Sequence, residues 1–220
     1  MILTLPRSQA PPLPQAGCWP VTHLDFMRPP LWRVRAEVEH DESLLQPIAY
    51  LVLLNAAGHA WCYQRDGGDA RVDGRWSCGV GGHVDLEDAC ITNPDAHQTA
   101  NPNANPHAFT PTPPHFNPET TLRRALLREL TEELNASADD LQNLRLQGLI
   151  YEGISPIGRV HLGMLYTALW CHATPPQPRA GETLRAQDFM PLSAIAADPR
   201  FELWSQLAAQ HLTSIRPATN

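Results

Sequence analysis

The chain has 220 residues and a formal net charge of −7, from 16 Lys and Arg against 23 Asp and Glu. That length suffices for one domain with a proper core, or for a domain with an appendage. The acidic balance and the lack of a basic patch exclude a nucleic-acid polymer as the main partner, but not a nucleotide whose phosphates are met by metal. Five cysteines (Cys18, Cys62, Cys78, Cys90, Cys171) form no CxxC pair and read as reduced, mostly buried thiols of a cytoplasmic protein. Ten histidines show no zinc-ligand spacing, which leaves zinc a lesser alternative. No apolar run reaches membrane-spanning length and the N-terminus has no signal-peptide core, so no membrane partner is expected.

Residues 1–46 are broken by prolines and are expected to form an extension that packs on the body or on a partner subunit. Within them Leu31–Val38 alternates weakly and reads as an edge strand. Ile48–Leu54, IAYLVLL, is a continuous apolar run, the pattern of a strand buried on both faces. Asn55–Gly58 is a turn and His59–Arg65 the return strand, with Trp61 and Tyr63 as sheet-face packing. Gly67, Gly68 and Gly74 mark a loop before the glycine turn Gly79–Asp85, GVGGHVD. Paired glycines let a backbone turn sharply and approach a ligand with no Cβ in the way. Residues 88–118 are rich in proline and asparagine and read as a long insertion loop, able to cover a neighbouring site. Its histidines (His97, His107, His115) read as polar loop residues, and Phe109 and Phe116 are its aromatic anchors.

Leu122–Ala136, LRRALLRELTEELNA, is the stretch the rest serves. On a helix advancing about 100° per residue, Glu129, Glu132 and Glu133 share an arc of about 100°, while Leu126, Leu127, Leu130 and Leu134 occupy the neighbouring one. Three carboxylates so close repel unless a positive group sits among them, and a hard divalent cation such as Mg²⁺ takes oxygen ligands. A solvated acidic face is the other reading. Thr120 or Thr121 is the expected N-cap, and Arg128 and Glu132 stand at a spacing where side chains meet. Leu144–Tyr151 and Arg159–Trp170 form a hairpin across Gly153–Gly158, and Cys171–Gly181 is a loop. Phe201–Leu212 reads as a closing helix, with Leu203, Leu207 and His211 at helical spacing.

Arg128-Glu129-Leu130-Thr131-Glu132-Glu133-Leu134 resembles the second half of the Nudix box, R-E-U-x-E-E-x, at each defined position, and Gly81-Gly82-His83-Val84 resembles its opening. Asn135 replaces the helix-ending glycine, a mild change because Asn tolerates a left-handed end. Roughly thirty residues split the two halves, and Glu87, Asp88 and Glu119 all remain open as substitutes for the first box glutamate. The Gly-Gly-His, the long break and Trp204-Ser205 look most like a branch described as predicted Nudix phosphoesterases. The resemblance implies an α/β fold, a Nudix-type α/β/α sandwich around a mixed β-sheet, as one domain over residues 1–220. It implies hydrolysis of a phosphoanhydride in a nucleoside diphosphate linked to another group, a small phosphorylated molecule, with Mg²⁺ or Mn²⁺. Glu129, Glu132 and Glu133 would bind metal with backbone oxygen from the Gly82 region. Glu129 or Glu133 would alternatively orient water, and Arg128 would orient a box glutamate. Arg65, Glu152 and Glu182 are lesser candidates for substrate contact or catalysis. A nucleotide- or phosphosugar-binding sensor without turnover is the alternative, and a homodimer is among the expectations.

Overall fold

The computed structural model describes residues 1–66, 74–92 and 115–215. The chain opens with β1 (Ile2–Pro6), β2 (Ala16–Trp19), β3 (Leu31–Arg33) and one short helical turn, α1 (Arg35–Val38). Two long strands follow a short one apart, β4 (Leu44–Leu54) and β5 (Ala60–Arg65), then β6 (Trp76–Ser77) and β7 (Gly79–His83). The short strands β8 (Ile91–Thr92) and β9 (His115–Phe116) precede the principal helix α2 (Pro118–Leu134). Next come β10 (Leu141–Glu152), α3 (Pro156–Val160), β11 (His161–Trp170), β12 (Leu184–Met190), α4 (Leu192–Ala197) and α5 (Leu203–Ile215).

The main sheet runs β12-β5-β4-β11-β10-β2, with β1 and β7 also on β4 and β6 on β5. β4 and β11 pair in parallel, from His161 opposite Gln46 to Leu169 opposite Leu54, among otherwise antiparallel neighbours in the described sheet, so the sheet is mixed. Side chains alternate faces along a strand, and β4 divides accordingly. Leu45, Ala49, Leu51 and Leu53 pack with Leu122, Leu126 and Leu130 of α2. Tyr50, Val52 and Leu54 pack instead with Leu192 and Ile195 of α4 and Ala208, Ala209 and Leu212 of α5. The result is a helix layer on each side of one sheet. Each buried leucine of α2 contributes about 1.5–3 kcal/mol of transfer free energy, against tenths for an exposed Arg–Glu pair, so burial sets which face turns inward.

Several local expectations need correction. The stretch Leu31–Val38 is a three-residue strand and then a helical turn; only Val38 of its second half is buried, and its carbonyl accepts from Gln46 Nε2 at 3.0 Å. The cap of α2 is Asn117, whose Oδ1 accepts from Thr120 N at 3.0 Å, with Pro118 supplying the preset first turn. Thr121 is instead buried, with its hydroxyl accepting from Cys90 N. The link between β10 and β11 contains α3, capped by Ser155. In α5 the buried positions are Ser205, Ala208, Ala209, His211 and Leu212, while Leu203 is exposed, because small residues let the helix approach the sheet closely. Asn135 does end α2 in the left-handed region, with φ 50°.

Both edges of the insertion are described. Ile91 pairs with Phe116 and Thr92 with His115, a two-stranded antiparallel join at its base. Residues 93–114, with the expectations for His97, His107 and Phe109, lie outside the described residues, as do Gly67 and Gly68. The edge-on contact of Phe116 with Trp32 at 6.4 Å ties that join to β3. Among the described residues no helix is long and apolar enough to cross a membrane.

Candidate active site

The glycine turn is held against α2 by β4. Strand β7 pairs antiparallel with β4, placing Tyr50 opposite Gly81 and Ala49 opposite Gly82. Gly81 has φ +148°, and a Cβ there would run into the Ala49 carbonyl, so only glycine fits. At Gly82 an added Cβ would lie 2.6 Å from the Glu129 Cδ, against the carboxylate itself. The Gly81 backbone acts to lower the Glu133 pKa, which places that carboxyl beside the turn. Two of the three helix acids therefore face residues 81–82. Glu132 does not share their enclosure; its side chain is 53% exposed.

Arg128 organises this end of the helix. Its Nε donates to Asp88 Oδ1 at 3.2 Å and its Nη2 to Asp88 Oδ2 at 3.0 Å and to the His83 carbonyl at 2.8 Å. Its Nη1 donates to Glu129 Oε1 at 2.8 Å and Glu132 Oε2 at 3.1 Å. Asp85 adds a further charge contact at 3.6 Å. Asp88 is buried and also accepts from Asp85 N, whereas Glu87 and Glu119 are exposed. Of the three residues left open by the sequence, Asp88 is the one that meets the box arginine. Arg128 thus holds oxygens of both Glu129 and Glu132.

Glu133 is the most perturbed acid. Burial pushes its carboxyl up to about 8; Arg65 and the Gly81 backbone oppose that shift, while Glu129 and Glu182 add to it. Its Oε2 is buried with no hydrogen-bond partner among the described residues. Burial also raises Glu129, with Arg128 opposing. Arg65 and Glu182 thus lie within charge range of Glu133, and the segment carrying Glu182 is anchored where Arg179 N donates to the Glu133 carbonyl at 2.7 Å. Glu152 serves elsewhere. Its carboxylate accepts from Ile154 N, Ser155 N and the Ser155 hydroxyl, capping the turn into α3, so it is buried structure apart from the cluster.

His83 bonds through Nε2 to Gln46 Oε1 at 2.9 Å and His161 Nε2 at 3.2 Å. Burial, then His161, Arg35 and Arg128, lower its pKa to about 3, so the ring is neutral at pH 7. A buried polar group of Tyr50, Ser77, Ser205 and Glu202 also adjoins Arg65 and was not foreseen. Tyr50, Ser77 and the Glu202–Ser205 pair are far apart in sequence, and the sequence hint was Trp204-Ser205.

No family model matches the chain. It is 25% identical to Protein YmaB of Bacillus subtilis (strain 168) over 183 residues, 81% of this chain and 76% of that protein. The fold is similar to that of Tm1382, named as a candidate Nudix hydrolase, at TM-score 0.69 and 21% identity, covering 98% of this chain and 99% of that one. It is also similar to DR0079 from Deinococcus radiodurans at TM-score 0.50 and 17% identity, over 85% and 91% of the two chains. With α2 and the glycine turn in register and a helix layer on each face of the mixed sheet, this chain is a Nudix-fold protein.

Proposed function

We propose that the protein hydrolyses a phosphoanhydride bond in a small substrate of the nucleoside diphosphate-linked type, with Mg²⁺ or Mn²⁺. The observation that carries this reading is the convergence of Glu129 and Glu133 on Gly81–Gly82, with one Glu133 oxygen buried and unpartnered. An orphaned buried carboxylate oxygen is costly unless a cation meets it, and the donors here are all oxygen, as hard divalent ions require. The residues therefore fit the metal. Glu129 and Glu133 would hold it with backbone oxygen near Gly82, and Glu132 would join on release from Arg128. Once bound, the cation supplies charge neutralisation for a diphosphate.

The chain's own residues perform the rest. Burial raises the carboxyls of both Glu129 and Glu133, the latter to about 8, and a carboxylate of raised pKa takes a proton from water more readily. Arg128 fixes the near ends of Glu129 and Glu132, and Arg65 offers a guanidinium to the substrate's phosphates. Glu182, exposed on the loop after Arg179 and within charge range of Glu133, would add a further carboxylate. We take residues 1–220 as one such domain, acting in the cytoplasm, where five free thiols are at home.

Binding of a nucleotide or phosphosugar without turnover is favoured by one observation, the capture of Glu129 and Glu132 oxygens by Arg128. A screen for phosphate or nucleotide release over nucleotide sugars, dinucleoside polyphosphates, NADH, ADP-ribose and modified nucleoside triphosphates, with Mg²⁺ and Mn²⁺, tests both. Turnover that disappears in Glu133→Gln supports hydrolysis. Tight binding with no product would favour the sensor.

A further inference from the structure

Arg65 lies within charge range of two carboxylates from different elements, Glu133 of α2 and Glu202 at the entrance to α5. Glu202 is unusually well fixed. Its Oε1 accepts from Ser77 Oγ at 2.6 Å and lies 3.2 Å from Ser205 Oγ and 3.3 Å from the Tyr50 hydroxyl, one of which also donates to it, while its Oε2 faces Arg65 Nε at 4.0 Å. Tyr50 and Ser205 are themselves joined at 3.0 Å, and Ser205 Oγ accepts from Cys78 N at 3.0 Å. The segment is strapped to β6 by Glu202 N donating to the Trp76 carbonyl at 2.9 Å. Two hydroxyl protons on one oxygen set the carboxylate's rotation and present the other oxygen to Arg65.

The bland account is a helix cap. A cap accepts from backbone N–H groups of the first turn, whereas the Glu202 carboxylate takes side-chain hydroxyls, and its side chain is only 14% exposed. Burying a carboxylate costs several kcal/mol unless donors and a counter-charge offset it. Here the counter-charge is Arg65. Arg65 in turn donates from Nη2 to the Tyr63 hydroxyl at 3.1 Å, lies over the Tyr63 ring, and has Nε buried without a hydrogen bond. Its guanidinium is therefore placed by charge as much as by bonding.

We propose that Glu202 is a positioning residue that shares Arg65 with Glu133, keeping the guanidinium beside the cation-binding acids without letting it close onto them. This rests on Glu129 and Glu133 being those acids. Without the Glu202 charge, Glu133 is the one carboxylate of the two left to draw Arg65, and Arg65 then competes with a cation for it.

The test is Mn²⁺ binding to the full chain by calorimetry at neutral pH, for the wild type, Glu202→Gln, Arg65→Gln and the double variant. Glutamine keeps an oxygen for the hydroxyls and removes only the charge. Glu202→Gln should weaken Mn²⁺ binding about tenfold, and in the Arg65→Gln background the same change should alter it less than about twofold, the signature of coupled residues. Should Glu202→Gln fail to fold, Ser77→Ala removes one hydroxyl and should give a smaller loss of the same kind. Equal binding by wild type and Glu202→Gln, or additive losses in the double variant, overturns the proposal. A wild type that binds no Mn²⁺ overturns the cation-site reading instead. Exchange of the Arg65 Nε proton, followed by ¹⁵N NMR without metal, then decides the positioning role: about tenfold faster exchange in Glu202→Gln supports it, and an unchanged rate overturns it.

Discussion

Arg128 and Asp88, forty residues apart in the chain, meet side on: Nε lies 3.2 Å from Oδ1 and Nη2 3.0 Å from Oδ2. Two parallel charge-assisted bonds make this the firmest link between the glycine turn and α2. Breaking a mostly buried pair leaves its partner unsatisfied, so Asp88→Ala should cost about 2–4 kcal/mol in urea unfolding. Arg128→Lys keeps the charge but loses the fork, and should recover less than half of that loss.

The Glu133 carboxyl sits at about 8 in the folded chain, against an ordinary 4.5. Between those values the folded state binds more protons than the unfolded one, so stability falls as pH rises through the window. The melting temperature of protein kept in EDTA should decline from pH 5 to pH 8.5. Glu133→Gln should flatten that decline and be the more stable form at pH 8.5. Saturating Mn²⁺ should oppose the decline in the wild type, because a cation binds the deprotonated acid.

The two glycines should fail differently. Gly81→Ala forces a side chain at φ +148° against the Ala49 carbonyl and should destabilise by about 2 kcal/mol or more. Gly82→Ala meets only the movable Glu129 side chain. Thermal melts should show the smaller loss for Gly82→Ala, while Mn²⁺ affinity falls about tenfold.

Asn117 caps α2 through a single 3.0 Å bond to Thr120 N. Asn117→Ala should cost about 1 kcal/mol by denaturant melting, and Asn117→Asp should be neutral or better at the helix N-terminus.

The parts legible in the sequence were those with strong local pattern. The unbroken run at 48–54 gave a strand buried on both faces, and the leucine spacing of α2 gave its inner face. Asn135 was read as a left-handed end and is one. What escaped depended on distant partners. Asp88, Glu87 and Glu119 all stayed open in the sequence, and the folding of the turn onto α2 separates them. The cap fell at Asn117 rather than Thr120 or Thr121, one residue before the proline that presets the first turn. Glu152 was a fair candidate as an acid at a strand end, but α3 claims both its oxygens. Glu202 gave no sign at all, since its partners Tyr50 and Ser77 are 152 and 125 residues away.

The stitch between Ile91–Thr92 and His115–Phe116 has a further effect on the chain's freedom to vary. A closed neck makes whatever hangs from it thermodynamically cheap, since loop entropy grows only as the logarithm of length, about 0.6 kcal/mol per doubling. Amino acids can thus be added or removed beyond the neck while the arginine, the aspartate and the bend stay in place. A signature counted along the polymer is broken in this protein. Through space, Arg128, Asp88 and the carbonyl of His83 nonetheless meet.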